Sequence, residues 1–172
     1  MDMDWVISGA PWTFTNHLLV IHQLESGEDP VKVPLVFANF LVQVHELPTG
    51  IFLKFIVRQL EDFIGKFLEY DSKSLSRGVR NFFRIKVQLD IRRPLKWKKN
   101  IMFASENCTY VSFKYERLTI FCFYCGCLRH NDSFCHIRMS KGEEESVELG
   151  WDLSLRVQSR RAAVMHSVWL IE

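Results

Sequence analysis

Hydrophobic and polar positions alternate most regularly between residues 83 and 92. The apolar positions are Phe83, Ile85, Val87, Leu89 and Ile91, and the polar positions are Arg84, Lys86, Gln88, Asp90 and Arg92. A period of two predicts a β-strand that buries one face and exposes a basic face. Pro94 follows the pattern, so we expect the strand to end before it.

A second pattern, with a period of three to four residues, runs between residues 49 and 70. The apolar positions that follow it are Phe52, Ile56, Leu60, Phe63, Ile64 and Phe67. This spacing predicts an amphipathic helix, with Thr49 as its N-cap and its end near Tyr70.

Less regular apolar runs predict the remaining strands. A buried strand is expected over residues 37–47 and another over residues 109–115. The latter can pair back on the strand at residues 83–91 as an antiparallel hairpin, across a loop at residues 97–100. Two short strands are expected between residues 5 and 24, interrupted at residues 8–11.

The order strand, helix, strand, strand predicts an α+β fold. We expect a small antiparallel or mixed sheet with one main helix packed on a face, in a split βαβ-like arrangement. The residues after 138 are polar and then acidic, and they predict a mostly irregular tail.

Composition adds a basic middle to this picture. The chain has 172 residues, 48% of them hydrophobic, and a net charge of only +2. Residues 77–99, however, carry nine basic side chains against the single acid Asp90: Arg77, Arg80, Arg84, Lys86, Arg92, Arg93, Lys96, Lys98 and Lys99. Such a stretch is typical of proteins with a polyanion partner.

The ends of the chain and its apolar runs bear on its compartment. The acidic start is unlike the basic beginning of a secretory signal peptide, and no apolar run has the length of a membrane span. We therefore expect an intracellular protein without a membrane partner. Nucleus and cytoplasm are not distinguished.

Four of the five cysteines fall within fourteen positions, and three of them form the spacing C-x2-C-x4-H-x4-C with a histidine. The residues in this pattern are Cys122, Cys125, His130 and Cys135. Three thiolates and one imidazole can form the tetrahedral ligand set that Zn2+ prefers, and Gly126 allows a tight turn after the second ligand. The alternatives are ordinary thiols beside a surface histidine, or a catalytic Cys–His pair, which would need an orienting residue and a cleft.

Three neighbouring residues are interpreted as bystanders. Cys127 lies directly after the glycine, where its side chain should point away from the metal ion. His136 follows the last ligand. Cys108 is expected to be a small core residue on the predicted hairpin.

Two surfaces are candidates for nucleic-acid binding. Around the metal ligands, bases can stack on Phe123, Tyr124, Leu128 and Phe134, and phosphates can meet Arg129 and Arg138. The second surface is the run Arg92, Arg93, Lys96, Trp97, Lys98 and Lys99, extended by Arg84 and Lys86 on the strand before it. The alternative is that the aromatic side chains cover the zinc site or the core and that the charges are merely solvated.

Several segments together resemble plant proteins of LINE-type retrotransposon origin. They are PWTFTNHLLVIHQLESGEDP, FLVQVHELPTG, FIGKFLEYD, RIKVQLDIRRPLK and YERLTIFCFYCGCLRH. The resemblance implies a plant domain of unknown function at residues 1–117 that begins before residue 1. It also implies a zinc knuckle at residues 118–138 (the knuckle segment) and a flexible tail at residues 139–172.

The resemblance also implies a gag-like, first-reading-frame type of protein that binds Zn2+ and nucleic acid and has no catalytic activity. The chain departs from the family at Arg129, where the family usually has glycine. If that position needs a positive φ, arginine strains the loop by about 1 kcal/mol.

We therefore expect a zinc-dependent, non-enzymatic protein that binds nucleic acid, single-stranded RNA or DNA rather than duplex. No P-loop, paired acidic motif or HExxH motif occurs, and no small-molecule substrate is expected. The alternatives are a zinc-stabilised protein-interaction module and a degenerate copy without function. Self-association is left open.

Overall fold

The computed structural model describes residues 3–9, 11–47, 59–60, 63–70, 82–102, 107–141 and 151–157. Seven strands occur there: β1 (Trp12–Phe14), β2 (His17–Leu19), β3 (Phe37–His45), β4 (Lys66–Tyr70), β5 (Phe82–Asp90), β6 (Lys98–Met102) and β7 (Cys108–Tyr115). In the same residues, α1 (Met3–Ser8) and α2 (His136–Lys141) are short helices. Short 3-10 turns occupy Asp132–Phe134 and Leu153–Leu155.

Five strands form one antiparallel sheet in the order β4-β5-β3-β7-β6, and β1 and β2 form a separate hairpin. The register places Val42 opposite Ile85 on one side and Tyr115 on the other. These three side chains, and those two positions away along each strand, are buried, so this face of the sheet carries the core. The strands predicted over residues 37–47, 83–91 and 109–115 are confirmed to within one or two residues of their ends.

The predicted α+β fold with one main helix on a sheet face is wrong, because the described residues are mostly β. Residues 59–60 and 63–64 are helical, but the chain continues as strand β4 to Tyr70 instead of helix. A β-bulge between Phe67 and Glu69 disguises the strand at the end of the predicted helix, where Phe67 is the last residue of the helical pattern. It brings Phe67 and Tyr70 together, with ring centroids 4.8 Å apart, so a strand acquires the three-residue spacing of a helix. The predicted N-cap Thr49 lies outside the described residues.

The predicted hairpin is also corrected. Strand β7 pairs with β3 and β6, whereas β5 pairs with β3 and β4. The loop expected at residues 97–100 therefore contains the start of β6. Near the N-terminus, Met3–Ser8 is helical where a strand was expected, and Thr15 and Asn16 divide the second expected strand into a hairpin. Both residues have positive φ, as in the two-residue turns that connect such strands.

Residues 151–157 of the predicted flexible tail pack against the sheet. Leu155 is fully buried in the main core. The Val157 N–H donates to the carbonyl of Tyr115, and the Arg156 guanidinium donates to the carbonyl of Thr119. Among the described residues, no helix is long and apolar enough to cross a membrane.

Candidate metal centre

The knuckle segment leaves β7 and stays attached to the core before it reaches the metal ligands. Leu118 and Phe121 are buried in the same cluster as the sheet residues. A tight turn then joins Cys122 to Cys127. The Cys122 N–H donates to the Cys127 carbonyl at 2.9 Å, and the Cys122 carbonyl accepts the N–H of Gly126 at 2.8 Å. The first two ligands therefore sit on a closed backbone loop.

The structure brings all four predicted ligands together. The three sulfur atoms and one imidazole nitrogen of Cys122, Cys125, His130 and Cys135 all lie within 4.8 Å of one another. The Cys125 Sγ and the His130 Nε2 are 3.3 Å apart. A tetrahedral zinc ion with Zn–S bonds of about 2.3 Å separates its sulfur ligands by about 3.8 Å, so the cluster is close to the size that Zn2+ needs. The donor set of three thiols and one imidazole also fits this ion.

Burial determines the acidity of the ligand thiols. It raises the pKa of Cys122 to about 12 and also raises the pKa of Cys125. At Cys135 burial again raises the pKa, but hydrogen bonds from the Arg138 backbone and the His130 side chain outweigh it and bring the pKa to about 7. Buried thiolates need a counter-charge, and a divalent cation supplies it. Metal binding here therefore releases protons.

The three bystanders occupy different environments. The Cys127 Sγ faces the carbonyls of Arg92 and Cys125, at 3.7 Å each, and lies outside the four-ligand cluster. His136 is exposed at the start of α2. Cys108 is exposed at the start of β7, so the expectation that it is a core residue is wrong.

Two of the basic residues predicted to bind nucleic acid form ion pairs with acidic residues of the same chain. The Arg84 guanidinium donates to both carboxylate oxygens of Glu116, and only 23% and 16% of these two side chains are exposed. Lys86 is buried and donates to Glu69 at 3.0 Å. The strand face that the sequence predicts to be exposed and basic is thus neutralised by acids from other parts of the chain.

The basic turn (residues 90–93) is accessible. Arg93 is 83% exposed and lies 3.7 Å from Asp90, while Arg92 is 53% exposed and holds the Asp90 carboxylate with two hydrogen bonds. These contacts, led by the hydrogen bond from the Arg92 side chain, lower the pKa of Asp90 to about 2. Asp90 is therefore charged at neutral pH and offsets one of the two arginines.

The next basic residues lie against aromatic rings. Lys96 and Lys99 place their ammonium groups 5.4 and 4.7 Å from the ring centroid of Phe63, and Lys99 also donates to the Gln59 carbonyl. The Lys98 ammonium lies 4.3 Å from the Trp97 ring. Trp97 is half-buried against the core. Its position agrees with the alternative interpretation that this side chain covers the core and does not stack on bases.

The aromatic candidates of the knuckle segment separate into buried and exposed groups. Leu128 is buried in the main core, and Phe123 packs edge-on against Phe121. Tyr124 is half-buried beside the cysteines. Phe134 is 67% exposed, and Arg129 and Arg138 are exposed as well. Arg129 does not have a positive φ, so the backbone strain that a positive φ would cause at this arginine does not arise.

Sequence reasoning missed the residues that hold the knuckle segment in place. The Gly126 carbonyl accepts the N–H of Leu95 at 2.8 Å, and the Trp151 indole donates to the Leu95 carbonyl at 2.9 Å. Gly126 has a φ of +76°, and its backbone lies directly against the Trp151 ring. Gly126 could be singled out from the sequence because it follows the ligand Cys125. Nothing in the sequence pattern identified Trp151 as its partner.

Comparisons with known proteins agree with this metal centre. Residues 89–137 match the family model described as "Zinc knuckle". The chain is also 23% identical over 143 residues to the uncharacterized protein At4g02000 of Arabidopsis thaliana, an alignment that covers 80% of this chain and 43% of that protein. The chain thus spans less than half of the length of that relative. No solved structure matches. Together with the cluster of four ligands, the family match shows that the chain contains a zinc knuckle domain of the CCHC type.

Proposed function

We propose that the protein binds single-stranded nucleic acid, RNA or DNA, in a zinc-dependent and non-enzymatic manner. The observation that carries the proposal is the position of the basic turn beside the metal centre: the Cys127 Sγ lies 3.7 Å from the Arg92 carbonyl. Two exposed arginines of this turn, Arg92 and Arg93, therefore border the segment that carries Arg129. Exposed cations that are grouped in this way attract phosphates.

Exposed aromatic side chains favour a single strand over a duplex in this proposal. Phe134 is exposed next to the last ligand, and Tyr124 is half-buried beside the cysteines. Unpaired bases can stack on such rings, whereas the bases of a duplex are already stacked on each other. Arg84 and Lys86 are left out of the proposed surface because each is paired with a carboxylate of the chain and is itself largely buried.

The biological setting belongs to the same proposal. The resemblance to retrotransposon-derived plant proteins favours a gag-like role that coats nucleic acid inside the cell. Self-association would suit such a role, and an enzymatic activity would not be needed for it.

Zinc-dependent binding can be tested with a short fluorescein-labelled single-stranded RNA and fluorescence anisotropy. The zinc-loaded protein should bind, and Cys122→Ser should weaken binding about tenfold or more, because loss of a ligand releases the loop that carries Arg129. Cys108→Ser is the matched control, since this thiol is exposed at the start of β7 and lies outside the ligand cluster. Equal binding by all three proteins would contradict the proposal.

A protein-interaction module is the second candidate, and the surface of α2 favours it. Ile137 and Met139 on this helix and Phe134 just before it are all exposed apolar side chains. Salt dependence separates the two candidates. Each phosphate neutralised on a single strand contributes about −0.7 to the slope of log affinity against log salt concentration. A flat response would favour a protein partner.

A further inference from the structure

Leu95 connects the knuckle segment to Trp151, because one of its backbone groups bonds to each. Its N–H donates to the carbonyl of Gly126 at 2.8 Å, and its carbonyl accepts the indole N–H of Trp151 at 2.9 Å. The Leu95 side chain is itself buried in the core. Three parts of the chain that are distant in sequence therefore meet at a single residue between the basic turn and β6.

Trp151 also contacts the knuckle directly. A Cβ atom on Gly126 would lie 2.6 Å from Trp151 Cε2 and 2.9 Å from Trp151 Cη2, distances that real side chains do not show. Gly126 is buried and has a φ of +76°, which disfavours any other residue as well. Its lack of a side chain thus lets the indole cover the backbone of the turn that follows Cys125.

This arrangement fixes the position of the basic turn relative to the metal centre. The Cys127 Sγ contacts the Arg92 carbonyl, and Arg129 follows two residues later on an exposed position. Arg93, the residue after Arg92, is 83% exposed. A binding surface whose parts are held in place loses less conformational entropy when it meets its ligand.

We infer that Arg92, Arg93 and Arg129 form one rigid cationic surface for a single-stranded nucleic acid, and that Trp151 is the positioning residue that holds its two halves together. The inference rests on the proposed function for the identity of the ligand. Among the described residues, Asp90 is the carboxylate paired with Arg92 and Arg93, so three positive charges there stand against one negative charge.

The positioning role can be measured without any nucleic acid. In Trp151→Ala, amide hydrogen exchange at Leu95 should rise about tenfold, because its partner on Gly126 is no longer held by the indole. Native mass spectrometry should still find one zinc ion per chain. In Trp151→Phe the ring remains against Gly126 but the donor to Leu95 is lost, so an intermediate increase is expected. Unchanged exchange at Leu95 in both variants would overturn the positioning role.

The cationic surface is tested by combining substitutions in a salt titration with a short labelled oligouridylate. In the parent protein, Arg93→Ala together with Arg129→Ala should reduce the steepness of log affinity against log salt concentration by about 1.4. This is about 0.7 for each phosphate contact. In the Trp151→Ala background the same pair should reduce it by only about 0.7, because the two halves no longer engage one strand together. An equal reduction in both backgrounds would overturn the composite surface.

Trp12 offers a matched control, because its indole also donates to a backbone carbonyl, that of Val6. Trp12→Phe makes the same chemical change in the N-terminal hairpin and should leave the oligouridylate affinity unchanged. If the parent protein bound no oligouridylate at any salt concentration, the proposed function and the cationic surface would both be rejected. The exchange rates at Leu95 would still decide the positioning role.

Discussion

Two arginines that the sequence assigns to the same nucleic-acid surface should behave in opposite ways when each is replaced by alanine. Arg84 is largely buried, and both its Nε, at 2.8 Å, and its Nη2 donate to the Glu116 carboxylate. The Gln43 amide donates to the same carboxylate at 2.6 Å. Arg93 is mostly exposed, with a single longer contact to Asp90. We therefore expect Arg84→Ala to reduce stability and Arg93→Ala to reduce nucleic-acid binding.

The expected magnitudes follow from the exposure of each pair. Removing one partner of a fully buried ion pair costs about 3–5 kcal/mol, because the other charge is left without compensation. Glu116 keeps the Gln43 donor and some contact with water, so we expect Arg84→Ala to reduce the free energy of unfolding by about 2–3 kcal/mol. Arg93→Ala should change it by less than about 0.5 kcal/mol, as is usual for exposed substitutions.

Urea denaturation and anisotropy at several salt concentrations measure both effects on the same zinc-loaded preparations. Arg93→Ala should reduce the salt slope by about 0.7, and Arg84→Ala should leave it unchanged. Glu116→Gln is an informative control. It should destabilise the protein if the pair is structural, but would strengthen binding if Arg84 were a phosphate ligand that Glu116 restrains. A stable Arg84→Ala variant with a reduced salt slope would refute the assignment of Arg84 to the interior.

Three further outcomes are expected. Native mass spectrometry should find one zinc ion per chain. The double variant Cys122→Ser, Cys125→Ser should lose this ion, and Cys127→Ser should keep it. Zinc bound to the double variant would contradict the ligand set. Cys108 should react first with iodoacetamide in the zinc-loaded protein, as peptide mass spectrometry can show, because it is exposed and the ligand thiols are buried. Tyr115→Phe should reduce the free energy of unfolding in urea by about 1 kcal/mol and leave zinc bound, since it removes one buried hydrogen bond to a backbone carbonyl.

The metal ligands could be recognised from sequence because their arrangement is local. All four lie within one short segment, and the turn that joins Cys122 to Cys127 closes through backbone hydrogen bonds between near neighbours. Spacing alone therefore carries most of the information about this cluster. Strand β5 was recognised from its regular alternation of apolar and polar residues, and β3 and β7 were recognised from apolar runs that supply buried residues of the sheet.

The two edge strands were missed because their patterns are disguised. In β4 the bulge gives Phe67 and Tyr70 a helical spacing. In β6 a lysine occupies a position that faces the core: Lys99 is opposite Val111, and its ammonium group lies over the Phe63 ring and bonds to a backbone carbonyl. A charged residue at an inward position conceals the period of two, although its long aliphatic stem can pack against apolar neighbours.

Whether a basic side chain is free to bind a partner depends on acidic residues that are distant in sequence. For this reason the sequence analysis assigned ion-paired, largely buried basic residues and exposed ones to the same nucleic-acid surface. Glu116 and Glu69 come from other strands or their ends and neutralise Arg84 and Lys86, whereas the basic turn pairs, among the described residues, with its own Asp90. The same reasoning applies to the metal centre. Its ligands are local, but its attachment to the sheet depends on Trp151, which no local pattern connects to Gly126. What the sequence reveals is therefore the chemistry of the zinc site, while the tertiary contacts decide which cations stand beside it and remain available to a partner.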